Sequence, residues 1–162
     1  MLKTLIIGWG NPLLGDDALG IRVAEKLKEM RLPDGVKVES CSSSPSTVIR
    51  KMLNCRKVII IDSARIPNVE EGSPFRLKLE YFEGPYRLIN PHSISLPTLY
   101  KIYKALYPDK IPDEVIVIGM NVGSCFGENL SERTRARIED LVNLVLKEVK
   151  GMEDERACHE GD

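Results

Sequence analysis

The sequence predicts an α/β protein, a three-layer α/β/α sandwich, and two observations point to this fold class. Short apolar runs, which are typical of buried strands, alternate along the 162 residues with segments whose apolar residues recur at helical spacing. Residues 58–61 are all β-branched, and a strand that is apolar on both faces belongs in the centre of a covered, largely parallel sheet. A chain of this length is expected to form one domain that buries about 70% of its unfolded surface.

Turn residues and apolar spacing divide the chain into five strands and four helices. The first helix repeats apolar residues at helical spacing from Ala18 onwards, and Pro33-Asp34-Gly35 predicts the turn after it. The fourth strand alternates apolar and charged residues, as half-exposed edge strands do. The predicted strands lie at about 2–8, 36–41, 57–62, 75–80 and 114–119. The predicted helices lie at about 17–30, 46–54, 96–107 and 131–150.

The domain boundary is predicted from the last helix. Its apolar positions from Ile138 to Val149 form one stripe, which is expected to face the core. The residues that follow are charged, so we predict a single domain over 1–150 and a flexible tail over 151–162.

A glycine-rich motif lies where the first strand is followed by the first helix. Residues 8–20 contain three glycines before Asp16 and Asp17, and ligands bind at such strand ends in open α/β sheets. The motif is not a dinucleotide fingerprint, because Leu13 stands where the third glycine is needed and carboxylates repel phosphate. The structural alternative is a strand–turn–helix in which Asp16 caps the helix and Asp17 points elsewhere.

A second acid and a histidine stand at comparable places. Asp62 ends the third strand, and His92, one of two histidines in the chain, precedes the third helix. Taken singly, each also fits a structural role, as a loop-starting aspartate or a helix-capping histidine. Together with Asp17 they provide two carboxylates and an imidazole, which can form a site for a divalent transition metal with open positions.

These motifs resemble those of the hydrogenase maturation endopeptidases, nickel-dependent proteases that trim the large subunit of nickel–iron hydrogenases. The family motif Gly-x-Gly-Asn-x-Leu-x-x-Asp-(Asp/Glu)-x-x-Gly matches residues 8–20 without a gap. A hydrophobic strand that ends in Asp and a small residue matches Asp62-Ser63, and a histidine before a leucine-bearing helix start matches residues 92–96. The resemblance covers about residues 1–150.

The resemblance implies a five-stranded mixed sheet with strand 4 antiparallel, in a phosphorylase/hydrolase-like fold. It assigns the metal-contacting and catalytic positions to Asp17, Asp62 and His92. An antiparallel fourth strand ends at the wrong edge of the sheet for His92. Residues 81–91 must therefore run back across the sheet.

The resemblance also implies an activity and a partner. The partner is the precursor of a hydrogenase large subunit after nickel insertion, and the protease removes its C-terminal extension. The nickel is supplied by the substrate, and either serves as a recognition element or polarises the scissile carbonyl or a water molecule. The alternatives are a non-proteolytic metal-site chaperone or nickel-binding assembly factor, and a phosphate-binding α/β domain.

Two positions depart from the family pattern. Ser40 stands where many members have an acid, with Glu39 beside it as a possible substitute, and the stretch Met120-Asn121-Val122-Gly123-Ser124 stands where many have Gln-Pro or Glu-Pro. The first departure leaves the role of residues 40–45 open, since that loop either alters client recognition or relies on Glu39.

Composition indicates a cytoplasmic enzyme. The formal net charge of −1 gives no electrostatic basis for binding nucleic acid. We expect no membrane insertion, because the sequence has no signal peptide and no apolar stretch of about 20 residues. The four cysteines show no Cys-x-x-Cys spacing, which is against a zinc knuckle or a redox pair. We expect a monomer.

Overall fold

The computed structural model describes residues 3–11, 13, 18–66, 68–82, 87–88, 95–122 and 132–159. Within these ranges the chain forms six strands and four helices. The strands are β1 (Thr4–Trp9), β2 (Val36–Cys41), β3 (Lys57–Arg65), β4 (Pro74–Lys78), β5 (Arg87–Leu88) and β6 (Glu114–Asn121). The helices are α1 (Leu19–Lys28), α2 (Pro45–Met52), α3 (Leu96–Leu106) and α4 (Glu132–His159), and a single 3₁₀ turn covers Leu79–Phe82.

The five long strands form one mixed sheet in the order β2-β1-β3-β6-β4. Strands β2, β1, β3 and β6 are parallel, whereas β4 lies at the edge and runs antiparallel to β6. This arrangement confirms the predicted α/β fold with an antiparallel fourth strand. The short β5, which the sequence did not predict, pairs antiparallel with the end of β3.

The course of the chain between β4 and α3 agrees with the predicted return across the sheet. Strand β4 ends with Lys78 opposite Ile116, near the start of β6. Strand β5 then places Leu88 opposite Ala64, near the end of β3. The chain therefore comes back to the carboxyl edge of the parallel strands before α3 begins.

Helices cover both faces of the sheet, and side chains alternate between two cores because successive residues of a strand point to opposite faces. On one face, Ile6, Ile59 and Ile118 pack against α1 and α4. On the other face, Ile7, Ile60 and Val117 pack against α2 and α3. The stripe predicted on the last helix is confirmed, since Ile138 to Val149 contribute its buried positions.

Two glycines allow α1 to pack unusually close to the sheet. A Cβ atom on Gly8 would overlap the carbonyl oxygen of Gly20 and the Cβ of Ala24. A Cβ atom on Gly20 would overlap the carbonyl oxygen of Ile61 and the backbone of Trp9. The first and last glycines of the 8–20 motif therefore serve helix–sheet packing, with the start of α1 against β1 and β3.

Several predicted boundaries are wrong. Helix α1 begins at Leu19 with Ala18 at its N-cap position, so Asp16 does not hold that position. Strand β3 continues through Asp62 to Arg65, because β5 and β6 still flank it there. Helix α4 extends to His159, nine residues past its predicted end. The flexibility of residues 151–162 stays a prediction.

Charged side chains join three strands and a helix at the amino edge of the sheet. The largely buried ammonium of Lys57 contacts Glu148 at 2.6 Å and Glu114 at 2.9 Å. Arg76 donates to the Glu148 carboxylate at 2.5 and 2.8 Å. These bonds connect β3, β4 and β6 to α4.

Among the described residues, no helix combines the length and the apolar character that a membrane span requires.

The glycine packing predicts a large effect of a single methyl group. Gly8→Ala should lower the free energy of unfolding by about 3 kcal/mol or more, because the added Cβ meets backbone that cannot move without shifting α1. The matched control is Gly151→Ala, where an added Cβ meets nothing within 4 Å. Alanine there should stabilise α4 by about 0.5–1 kcal/mol. Urea denaturation measures both, and an unchanged midpoint for Gly8→Ala would contradict the close packing.

The charged cluster predicts a pH dependence of stability. Hydrogen bonds from Arg76 lower the pKa of Glu148 from 4.5 to about 2. Because its folded-state pKa is depressed, this carboxylate contributes stability above its unfolded pKa and loses it as the pH falls from about 5 towards 2. Glu148→Gln should therefore be less stable than the parent at pH 7, and the difference should vanish near pH 2.

Urea denaturation of both proteins across this pH range measures that difference. Asp140→Asn is the control, since its pair with Arg137 is about half exposed. A difference that stays constant with pH would contradict the assignment.

Candidate active site

The strand order predicts a crevice at the carboxyl ends of β1 and β3. Strand β1 is followed by α1 on one face of the sheet, and β2 is followed by α2 on the other face. From β1 the chain turns towards β2, whereas from β3 it turns towards β6 and β4. This divergence is the topological switch point at which open α/β sheets bind ligands.

Asp62 lies at this switch point, on the central strand β3. Its side chain is fully buried, and one carboxylate oxygen accepts the Ser63 N–H at 2.7 Å. By strand alternation it shares a face with Ile60 and Ala64, which is the face covered by α2 and α3. The structure therefore places this predicted site residue at the carboxyl edge, on the side where α3 begins.

The neighbours of Asp62 across the sheet differ in size. On β6 the residue opposite is Gly119, where an added Cβ would overlap the Asp62 carbonyl oxygen. On β1, Trp9 lies one position beyond the Gly8–Ile61 pair. Trp9 therefore lies beside Asp62 on the β1 side, and on the β6 side Gly119 lets the backbone of Asp62 and the ring of Phe75 pack closely.

Trp9 also fixes the loops around the crevice. Its ring is buried, and its indole N–H donates to the Ser43 carbonyl at 2.9 Å. The Gly10 N–H donates to the Cys41 carbonyl at 3.1 Å. These two bonds connect the chain after β1 to the chain after β2, which gives this edge a defined shape.

The other two predicted site residues, Asp17 and His92, lie outside the described residues. Asp17 directly precedes Ala18, which is buried at the start of α1. His92 lies in the chain between Leu88 of β5 and Ser95, the N-cap residue of α3. The part of the chain that the structure describes contains no group of three or more potential metal ligands. The ligand set therefore stays a prediction.

Glu39 and Ser40 occupy opposite faces of β2. Glu39 forms ion pairs with Lys37 and Lys51 at 2.7 Å each, and its hydrogen bonds to these lysines lower its pKa. Glu39 lies opposite Ile7 of β1, and Ile7 precedes Trp9 by two residues. The separation along the strand is therefore about 7 Å. Ser40 accepts a hydrogen bond from Lys28 of α1. Glu39 is thus engaged by two lysines, and its position along the sheet is two residues before that of Asp62.

The thiols that the structure describes are poor candidates for nucleophiles. Cys41 and Cys55 are both buried and form no disulfide. Burial raises the pKa of Cys55, which disfavours the reactive thiolate.

One polar residue near the edge has a role that the sequence did not reveal. Asn121, at the end of β6, is buried and accepts the Ile66 N–H at 2.8 Å through its side-chain oxygen. Its amide nitrogen donates to the Val69 carbonyl at 2.6 Å. The sequence marked this position only as a departure from a family motif, because the partners lie more than fifty residues away.

Comparison with known proteins relates this geometry to a class of enzyme. No family model matches the chain. It is 25% identical over 148 residues to the hydrogenase 2 maturation protease of Escherichia coli, which covers 90% of this chain and 89% of the relative. It is 26% identical to the solved structure of the nickel–iron hydrogenase maturation protease HycI of Thermococcus kodakarensis, with a TM-score of 0.71 over 92% of this chain and 93% of that one.

A further structure supports the fold. The hydrogenase maturating endopeptidase HybD of Escherichia coli superposes with a TM-score of 0.78 over 93% of each chain, at 23% identity. The relatives at 25% and 26% identity are both named hydrogenase maturation proteases, which confirms the predicted class, a hydrolase of peptide bonds. Their names agree with the predicted likeness to the hydrogenase maturation endopeptidases.

Proposed function

We propose that this chain removes the C-terminal extension from the large-subunit precursor of a nickel–iron hydrogenase after nickel insertion. The observation that carries the proposal is the buried carboxylate of Asp62 at the switch point between β1 and β3. Two acids of the 8–20 motif follow β1 in the chain, and β5 leads towards His92. Of the described residues, Gly20 of α1 lies against the Ile61 carbonyl and Leu88 of β5 pairs with Ala64, so both lie close to Asp62 in the sheet.

Nickel belongs to the substrate in this proposal. Two carboxylates and one imidazole form a small, oxygen-rich donor set, which holds a transition metal less firmly than sites with thiolates or several imidazoles. The precursor's own cysteines would hold the nickel, and Asp17, Asp62 and His92 would complete its coordination. Nickel thus acts as the recognition element, since only a loaded precursor presents the metal to this edge.

The buried position of Asp62 supports this role. A carboxylate in a dry site favours a nearby cation strongly, since desolvation raises the energy of an isolated charge. Its Ser63 hydrogen bond engages one oxygen and fixes its orientation. The cytoplasmic location and the monomeric state stay predictions.

The direct test mixes the purified protein with a nickel-loaded large-subunit precursor and follows the precursor's mass. A C-terminally shortened product supports the proposal. Binding without shortening would identify a non-proteolytic chaperone or assembly factor instead. If the protein neither binds nor shortens any precursor from the same source, both the protease and the chaperone hypotheses are refuted.

Replacing the buried carboxylate should separate folding from activity. Asp62→Asn keeps an oxygen for the Ser63 N–H but removes the charge that a divalent cation prefers. Precursor cleavage should fall at least about a hundredfold, since a metal contact contributes several kcal/mol and each 1.4 kcal/mol is tenfold in rate. Asp17→Asn should reduce precursor cleavage to a similar extent. The control is Asp16→Asn, which lies beside the ligand set and should cleave at nearly the parental rate.

Dependence on the client's metal is the sharper expectation. Precursor that lacks nickel should not be shortened, and casein should not be cut with any added metal, because a small carboxylate-rich site cannot recruit nickel from a dilute pool. Mass spectrometry of parallel incubations measures this. Rapid cleavage of nickel-free precursor would eliminate the recognition mechanism, even if the protease assignment stood.

A further inference from the structure

A single buried side chain holds the connection between β3 and β4. This connection, residues 66–73, is named the Asn121 loop. The side-chain oxygen of Asn121 accepts the Ile66 N–H, and its nitrogen donates at 2.6 Å to Val69 and at 3.4 Å to the Ile66 and Glu70 carbonyls. An amide that satisfies both its donor and its acceptor groups inside one loop defines the loop's conformation.

The backbone of Asn121 holds the other end of the same loop. Its carbonyl accepts the Gly72 N–H at 2.7 Å, and its N–H donates to the Ser73 carbonyl at 2.9 Å. Both Asn68 and Gly72 adopt left-handed backbone conformations, with φ of 62° and 86°. Glycine and asparagine are the residues that enter this region most readily, so the Asn121 hydrogen bonds hold a loop whose own sequence suits these two turns.

The Asn121 loop stands beside Asp62. Asn121 pairs with Ala64, which is two residues past Asp62 and therefore on the same face at about 7 Å along the strand. The tip of the loop, residues 68–71, is exposed throughout. It presents Val69, an apolar side chain that is 40% exposed, in the loop that follows the carboxyl end of β3.

We infer that Asn121 is a positioning residue, whose carboxamide fixes the Asn121 loop so that its exposed tip forms one wall of the substrate crevice beside Asp62. The inference rests on the proposed function, because the substrate is the precursor's C-terminal segment. Asn121 touches no reacting atom. It acts through the loop, and Val69 supplies the contact with the substrate chain.

Three variants separate positioning, contact and folding. Asn121→Asp keeps the acceptor for the Ile66 N–H but replaces the donor to three carbonyls with a second oxygen. Val69→Glu changes the tip and leaves the Asn121 contacts in place. The control is Arg133→Gln, which removes an exposed ion pair between α4 and Glu71 of the same loop. Such exposed pairs contribute little to stability.

Two measurements are made on each variant: hydrogen exchange of the segment 66–73, and the kcat and KM for nickel-loaded precursor. Asn121→Asp should speed exchange and raise KM about tenfold with kcat nearly unchanged, the equivalent of about 1.4 kcal/mol in binding. Val69→Glu should raise KM without changing exchange. Arg133→Gln should change neither.

Two outcomes would overturn the inference. Faster exchange in Asn121→Asp with an unchanged KM would show that Asn121 has a structural role only. An unchanged KM in Val69→Glu would show that the loop tip does not contact the substrate. If Asn121→Asp does not fold, Val69→Glu decides. If the parent protein binds precursor without cutting it, the proposed function fails, and the Kd of each variant for the precursor then replaces KM as the test.

Discussion

The arrangement of this protein depends on the close contact between α1 and the ends of β1 and β3. Gly8 and Gly20 permit it, since a Cβ on either would overlap backbone or side-chain atoms of the opposing element. Because Gly20 packs against the Ile61 carbonyl, the start of α1 is held beside the residue that precedes Asp62. The outer glycines of the 8–20 motif thus serve the packing of α1 against β1 and β3.

The two edges of the sheet are held together differently. At the amino edge, Lys57, Arg76 and Glu148 connect strands to α4 through short ion pairs, which favour rigidity. At the carboxyl edge the connections are loops held by specific hydrogen bonds from Trp9 and Asn121. Sites on loops that a rigid scaffold positions can combine residues from distant parts of a chain.

Much of the fold could be predicted because periodicity encodes it. The β-branched run of β3 and the stripe on α4 identified the central strand and a core helix. The sequence ended β3 at Asp62, since a carboxylate usually starts a loop, whereas pairing with β5 and β6 continues the strand to Arg65. Strand β5 has two residues, too few to show an alternation of apolar and polar side chains. Asp62 was located correctly in the sheet, whereas Asp17 and His92 stay predictions beyond the described residues.

The role of Asn121 shows what a local pattern cannot encode. Its side chain bonds to Ile66, Val69 and Glu70, which are separated from it by more than fifty residues, and only the β3–β6 pairing brings the two segments together. The same pairing places Gly119 opposite Asp62. Gly119 therefore lets β6 approach the strand of the buried aspartate closely, and Asn121, two positions further along β6, fixes the loop that follows β3. On this account β6 shapes the crevice although it contributes none of the predicted ligands.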